Sequence, residues 1–476
     1  MRSKEICQKI KNIEIKYKPT ILVNNINFWP ILRITIINLL YNHQLVKKNN
    51  QEMNKNFFLI RFEKLKSFLK FFLFLKLKVK LKKKKNLIIS REVYLTKIKN
   101  EPFFTDRIFD HILKRKKISD ISEKVYISNK FSLNNLNIRS STLSPFFTKF
   151  MKKKFELNLD KKQIIMIKKI SKYLGINKNK LIKNFYLNFE VFNQWYNMGQ
   201  KLFYKNKELK KLFIACWYRP DAIGLIFAAQ ENNIKTFDIQ HGAQGKYQPM
   251  YTDWMMLNSG PSRLMPNFFC CWNKITKKNI LRTSGKRKDN LPIIIGNNFL
   301  ESHFKERLNN RKILKYNKKT IIYSMQNNIE LKNILIPKFI DQYLLSKEFK
   351  KNDQFIFRPH PNQNLQIIEN LKKYIIKINK ENQITISDSE SSFFHLLKNC
   401  THHITAFSST AIEASIMNIN SAVFGQEANE IYEFYLKKRY IKIISNFSEF
   451  LKWINSKNKK LKKKVLYDKE NYSCFL

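Results

Sequence analysis

Residues 355–362 read FIFRPHPN, and after a polar linker residues 384–425 read ITISDSESSFFHLLKNCTHHITAFSSTAIEASIMNINSAVFG. An apolar run (Phe355, Ile356, Phe357) ends in Arg358-Pro359-His360-Pro361, whose two prolines forbid helix and force a stiff turn. The spacing then predicts a short strand at 384–386, a helix at 391–397 and a strand at 402–407. After the hydroxyl cluster Ser408-Ser409-Thr410, it predicts a helix at 411–417 and a closing strand at 421–424. Strand–helix alternation of this kind means βαβ units and a parallel sheet, and ligands of such sheets bind beyond the carboxyl ends of the strands. Two of those ends carry a basic, imidazole-bearing turn and a hydroxyl-rich helix start, the outline of a phosphate site.

Working upstream, 211–216 (KLFIAC), 221–232 (DAIGLIFAAQEN) and 234–239 (IKTFDI) read as strand, helix, strand, closing in Gln240-His241-Gly242. Further strands are expected at 87–90, 125–128, 254–257, 268–272 and 291–295, and a helix at 106–113. Residues 145–210 read as mostly helical, with Phe185, Tyr186, Phe189, Phe192, Trp195 and Tyr196 at core spacing. A second α/β unit starts at Thr320 and contains the opening stretch, with Ser324 and Gln326 expected in its cleft. The expected class is α/β: two Rossmann-like domains facing a cleft, with an added basic helical segment at the start of the chain. The division is 1–85 for that segment, 86–298 for a first (acceptor) domain, 299–430 for a second (donor) domain, and 431–476 for helices packing back.

The 476 residues suffice for two or three domains with real cores. The formal net charge of +54 has two readings, a polyanionic partner or the Lys-, Asn-, Ile- and Phe-rich composition of A+T-rich codons. Six cysteines without C-x-x-C spacing suggest neither a zinc site nor a disulfide framework, and a reducing compartment is expected. The first residues lack the apolar core of a signal peptide, and the densest apolar run, 71–75, falls far short of the roughly 20 residues that span a bilayer. The expected location is cytoplasmic and peripheral on the inner face of the cytoplasmic membrane. Phe62, Leu65, Phe68, Leu69 and Phe72, with Lys64, Lys66 and Lys70 on other faces, make 57–85 either a basic helix for an anionic leaflet or a helix on the protein's own core. Of nine glycines only Gly175 precedes residue 199, which puts the expected ligand-facing machinery in the later part of the chain.

Three pieces now carry a resemblance: Gln240-His241-Gly242, Arg358-Pro359-His360-Pro361 and Ser408-Ser409-Thr410, in that order and each at a strand end. The pattern resembles the GT-B-fold glycosyltransferases that build bacterial surface polysaccharides. Capsule Kdo transferases share the R-P-H-P turn and the Q-H-G element. Sialyltransferases have similar HP and SS/ST motifs, and CDP-glycerol glycerophosphotransferases have related histidines and hydroxyls. The chain lacks the D/E-D/E-G motif of the sialyltransferases, which sets it apart from their acidic base and sialic acid donor.

The resemblance implies a nucleotide-sugar donor, a glycan or lipid-linked acceptor, no obligatory metal and no further cofactor; no specific nucleic-acid partner is expected. It implies that His360 contacts the donor phosphate, held by Pro359 and Pro361 and assisted by Arg358. Ser408, Ser409 and Thr410 begin a helix whose free N–H groups favour an anion. Glu413 completes a capping box with Thr410 or holds ribose hydroxyls, and both readings are open. His241 is the candidate general base, its ordinary pKa near 6.5 suiting the deprotonation of a hydroxyl; Gly242 allows a sharp turn, and Gln240 belongs to the cleft. Asp221 and Asp238 are alternative acids or bases. His402-His403 and Cys270-Cys271 lack metal spacing and read as structural.

Overall fold

The computed structural model describes residues 3–42, 84–97, 103–128, 136, 141–143, 154–258, 260–281, 289–297, 299–300, 319–326, 336–360, 363–388, 393–425, 427–456 and 473–476. Two wholly parallel sheets organise them. The first runs Leu291–Ile294, Phe268–Cys271, Lys235–Ile239, Lys211–Ala215, Asn86–Arg91, Ser122–Ile127, Ser141–Leu143. The second runs Ile384–Ile386, Gln354–Arg358, Thr320–Ser324, His402–Thr405, Asn420–Val423, Lys442–Ile443. Each starts in the middle, winds outward on one side and returns to continue on the other. The switch points therefore lie between the Asn86–Arg91 and Lys211–Ala215 strands, and between the Thr320–Ser324 and His402–Thr405 strands. Ligand crevices of doubly wound sheets open there. The two α/β domains face one cleft, the GT-B-like layout expected from the sequence.

The central strands are buried on both faces, as parallel sheets require; Leu87, Ile88, Phe213, Ile321 and Ile322 are all below 2% exposed. The long helix Lys178–Tyr204 lays Phe185, Phe189, Phe192, Trp195 and Tyr196 into the first core, while Tyr186 points outward. Five of the six aromatics thus serve the core, the packing role their helical spacing suggested.

Several boundaries differ from expectation. Residues 3–42 are not a separate segment: the helices Ser3–Tyr17 and Trp29–Asn42 bury Ile6, Ile10, Ile13, Trp29, Leu32 and Ile37 in the first core. Arg33, fully enclosed, pairs with Glu14 at 2.5 Å, donates to the carbonyls of Pro249, Thr252 and Asp253, and stacks on Trp254. The basic stretch 57–85 lies outside the described residues up to position 83. Residues 431–456 belong to the second domain, because Lys442–Ile443 joins its sheet and Phe447–Ile454 packs on Lys338–Leu345. The chain does return to the first domain at its end, where Phe475 stacks on Phe213 and its carbonyl accepts from the Asn86 amide. Residues 255–258 form a 3-10 turn instead of a strand. The helix expected at 106–113 splits into the end of a strand (Phe104–Asp106), a turn, and the helix Asp110–Leu113.

Candidate functional site

Between the carboxyl ends of the two sheets lies a cavity of about 560 Å³. Its walls include Gly242 from the first domain and Ser324, Gln326, Arg358, His360, Ser408, Ser409, Thr410 and Glu413 from the second. Nine of the residues singled out in the sequence therefore share one space. Pro361 lies outside the described residues.

The basic turn is delivered by the Gln354–Arg358 strand, whose last residue is pinned when the Met325 N–H donates to the Arg358 carbonyl at 2.9 Å. The guanidinium of Arg358 sits 5.3 Å from the centre of the Phe393 ring. Burial and the neighbouring Arg107 bring its pKa down to about 10, so it remains a cation at neutral pH. His360, half-buried, is pulled below the ordinary histidine value by burial, then by Arg358 and Arg107. A histidine lowered in this way is a neutral imidazole at neutral pH.

The hydroxyl cluster is arranged differently from a capping box. The helix is Thr410–Ile416, Ser409 stands in its cap position, and the Ser409 hydroxyl donates to Glu413 Oε1 at 3.1 Å. The Ser408 hydroxyl accepts from the Thr410 N–H at 3.3 Å. Glu413, 8% exposed, is raised above the usual carboxylate range by burial, against the pull of Arg107, Ser409 and Arg358. The cations acting on this helix start, through Glu413, are Arg107 and Arg358. Ser324 is occupied with its neighbours: its hydroxyl meets His403 Nε2 at 3.0 Å, and its carbonyl accepts from Thr405 Oγ1. Gln326 donates to the Met325 carbonyl from the cavity wall.

His241 does not line the main cavity. It faces an adjoining pocket of about 40 Å³ whose other walls include Gln240, Arg107, Phe299, Phe394 and Glu413, the last four of which also line the main cavity.

 Those four shared residues form the partition between the two spaces. His241 Nε2 lies 3.4 Å from the Tyr218 hydroxyl, and its ring is flanked by Tyr94. Burial and Arg107 lower its pKa to about 4, against the opposing pull of the Ile239 backbone. It is an unprotonated base at neutral pH. Gln240 braces this turn: its amide donates to the Gly242 carbonyl at 2.8 Å, and its oxygen accepts from the Trp272 N–H at 2.7 Å. Gly242 is not required by strain, since its φ is not positive and an added Cβ would meet nothing within 4 Å. Gly245, three residues on, is the position that demands glycine: a Cβ there would come 2.8 Å from the Ile431 carbonyl oxygen across the domain boundary.

The two alternative acids stand apart from both spaces. Asp221 is ion-paired with Arg91 and with Arg219 at the start of the helix Pro220–Glu231, and these cations hold its carboxyl below the usual range despite burial. Asp238 is enclosed in the first domain, raised by burial to about 8, and accepts from Tyr251 and the Trp217 N–H. Neither is carried forward as a catalytic group. His402 and His403 are buried in the second core, and burial lowers both to about 3, in keeping with a structural role.

Arg107 is the residue that sequence reading passed over. It is exposed, lines both spaces, and its charge acts on His241, His360, Arg358 and Glu413. The turn that presents it is fixed by Asp106, whose Oδ1 accepts from the Ile108 and Phe109 N–H groups and whose Oδ2 accepts from Ser90 and Tyr126. Asp110 accepts from the Asp106 N–H and pairs with the buried Lys124. An aspartate bonding to N–H groups two and three residues ahead is a turn signal, and it was available in the stretch Asp106-Arg107-Ile108-Phe109.

Among the described residues, no group of three or more His, Cys, Asp or Glu is placed to hold a metal. The arrangement offers two arginines, an imidazole and hydroxyls to an anion, with a neutral histidine beside it.

No protein-family model matches the chain, and no curated protein does. Solved structures with a similar course include the UDP-GlcNAc 2-epimerase from Methanocaldococcus jannaschii, at 13% identity over 81% of this chain and 96% of that one, with a TM-score of 0.47. Anabaena Alr3699/HepE in complex with UDP follows at 9% identity over 78% and 89%, TM-score 0.41. The wall teichoic acid polymerase TagF matches at 13% identity over 84% and 89%, TM-score 0.39. The fold described above is read from this chain's own strand order.

Proposed function

We propose that the chain is a glycosyltransferase of the metal-independent GT-B type, moving a sugar from a nucleotide-sugar to a surface-polysaccharide or lipid-linked glycan acceptor. One observation carries it: Arg107 from one domain and Arg358, His360 and the Ser408–Ser409 hydroxyls from the other surround a single cavity at two switch points. In the reaction, an acceptor hydroxyl oxygen bonds to the anomeric carbon of the donor. The bond from that carbon to the phosphate oxygen breaks, and the nucleotide leaves with the electron pair. Its growing negative charge meets Arg358, His360 and Arg107, donors already oriented before the bond breaks. The acceptor proton passes to His241, which is unprotonated at neutral pH. Arg107 lines both the cavity and the imidazole's pocket, so the path of the proton to His241 runs beside it. Glu413 accepts from ribose hydroxyls.

A CDP-glycerol-type glycerophosphotransferase uses the same cations for a diphosphate donor and is the second reading. The test is a thermal-shift screen with CMP, CDP, UDP, GDP and their sugars, followed by His360→Ala. Stabilisation by at least one nucleotide, lost in the variant, is expected. No shift with any nucleotide, together with DNA or RNA binding that falls steeply with salt, would replace this reading by a nucleic-acid-binding one.

The protein would work in the cytoplasm, held at the anionic inner leaflet by the basic stretch 57–85. No helix among the described residues is long and apolar enough to cross a membrane. Because residues 3–42 are core, the membrane test is substitution of Lys64, Lys66 and Lys70 by Gln rather than deletion of 1–85. Retention on phosphatidylserine vesicles should drop, and unchanged retention removes the role.

A further inference from the structure

The strand Lys211–Ala215 leaves the first sheet at its switch point through Cys216, whose φ is +67°. Most of the other described non-glycine residues with positive φ are Asn or Asp, which enter that region readily. Lys18 and Arg439 come just after the helices Ser3–Tyr17 and Glu433–Lys437, where a left-handed residue is a common stop. Cys216 instead follows a strand. A left-handed backbone in such a residue persists only where its surroundings hold it, and such residues cluster at functional sites. Asp238, on the adjacent strand Lys235–Ile239, does the holding. Its Oδ1 accepts from the Trp217 N–H at 3.1 Å, and its Oδ2 accepts from the Tyr251 hydroxyl at 2.9 Å. The Tyr251 ring in turn stands edge-on against Tyr218, with centroids 5.7 Å apart, and the Cys216 thiol bears on the Tyr218 hydroxyl from within the turn. The turn so held carries the Tyr218 hydroxyl to 3.4 Å from His241 Nε2. That is the long end of hydrogen-bonding range, as catalytic hydrogen bonds often are before substrate binds.

We propose that Asp238 and Tyr218 are positioning residues for His241: the aspartate fixes the strained turn, the turn aims the phenol, and the phenol sets the orientation and tautomer of the imidazole. A neutral imidazole takes up a proton at one nitrogen only when its own hydrogen sits on the other, so a free choice of tautomer leaves part of the population unable to act as base. A partner held against one nitrogen ends that freedom and leaves the other defined. Neither Asp238 nor Tyr218 lines the main cavity or the pocket beside it, so both act through the imidazole and not on a ligand. The role rests on the reading of His241 as the base.

The experiment is a proton–nitrogen NMR spectrum of the ring nitrogens in the full chain carrying isotope-labelled histidine, at neutral pH. His241 is assigned by the signals lost in His241→Ala. The parent should show a single tautomer for this ring. Tyr218→Phe, which removes one oxygen, should show a mixture of both tautomers with an unchanged unfolding midpoint. Burial raises Asp238 to about 8, so at neutral pH it is mostly an uncharged acid, and asparagine is its close isostere. Asp238→Asn should therefore keep the parent's tautomer, and Asp238→Ala should lose it as Tyr218→Phe does. If Asp238→Ala does not fold, Tyr218→Phe decides alone. With a nucleotide-sugar that the parent turns over, Tyr218→Phe should lower kcat several-fold and leave KM unchanged. A parent ring already mixed, or kcat unmoved in Tyr218→Phe, would overturn the proposal. So would an unchanged tautomer in Tyr218→Phe, which would leave the Ile239 backbone, the other hydrogen-bonding group that bears on the ring, as what sets it. Absence of turnover with every nucleotide-sugar is a separate result: it defeats the transferase reading, and the spectra still decide whether Tyr218 positions the ring.

Discussion

The two domains hold their halves of the site by opposite means. In the second, Arg358 ends a strand whose Phe355 and Phe357 pack with Tyr323 in an apolar core, His360 follows two residues on, and His403 bonds to Ser324. In the first, the turn carrying Arg107 hangs on a buried polar lattice of Ser90, Asp106, Asp110, Lys124 and Tyr126, all 1–3% exposed or less. Apolar packing tolerates small changes because neighbouring atoms relax around them. A buried charge lattice does not, because losing one partner strands the rest. The first-domain half should therefore be the more fragile to single substitutions, although it contributes fewer of the cavity's polar side chains.

The largest expected effect is catalytic. His241→Ala should lower turnover by about 10²–10⁴-fold while leaving nucleotide affinity unchanged. In the parent, activity should fall as pH drops toward the imidazole's value of about 4, and that acid limb should vanish in the variant. Full turnover in the variant would remove His241 as the base.

Next comes the lattice. Lys124→Met should cost about 3 kcal/mol in urea unfolding at pH 7.5, because Asp110 and Asp106 remain buried without their cation. Asp110 already sits near 6, raised by burial, and losing Lys124 removes a group that lowers it. Protonation then relieves the strain, so the penalty should shrink on going to pH 5. A penalty that is constant with pH would mean that the lattice is not electrostatic.

His360→Ala should weaken nucleotide binding by roughly tenfold, about 1.4 kcal/mol, and leave stability within about 0.5 kcal/mol, as expected for a half-buried turn residue. Equal affinity in parent and variant would take His360 out of the site. Smallest of all, Gly242→Ala should leave the unfolding midpoint unchanged, since its added methyl meets open space, whereas Gly245→Ala should separate the domains' contact at Ile431 and lower it. The reverse ranking would contradict the described loop.

The contrast also explains what could be read in advance. The second domain's half was legible because its signals are local: two prolines around an imidazole, three hydroxyls before a helix, and strands of unbroken apolar residues. The doubly wound sheets followed from the same alternation. Arg107 was missed because its position depends on residues spread from Ser90 to Tyr126, which no spacing rule joins. Helical propensity also outweighed the Asp106 turn in a short stretch. The N-terminal helices were misplaced for a related reason. Burial of Arg33 depends on carbonyls of Pro249, Thr252 and Asp253, more than 200 residues away in sequence. Glu413 looked like a cap because the Thr410-to-Glu413 spacing fits one, but Ser409 takes its carboxylate instead.

The central claim is that cations from both domains meet the same phosphate. A double-mutant cycle with Arg107→Gln and His360→Ala tests it, read by calorimetric affinity for the nucleotide that stabilises the chain best and for the matching nucleoside. The account predicts that each change weakens the nucleotide but not the nucleoside, and that the two effects are non-additive by about fivefold or more, on the order of 1 kcal/mol of coupling. Strictly additive losses, or a nucleoside bound as tightly as its nucleotide, would contradict it.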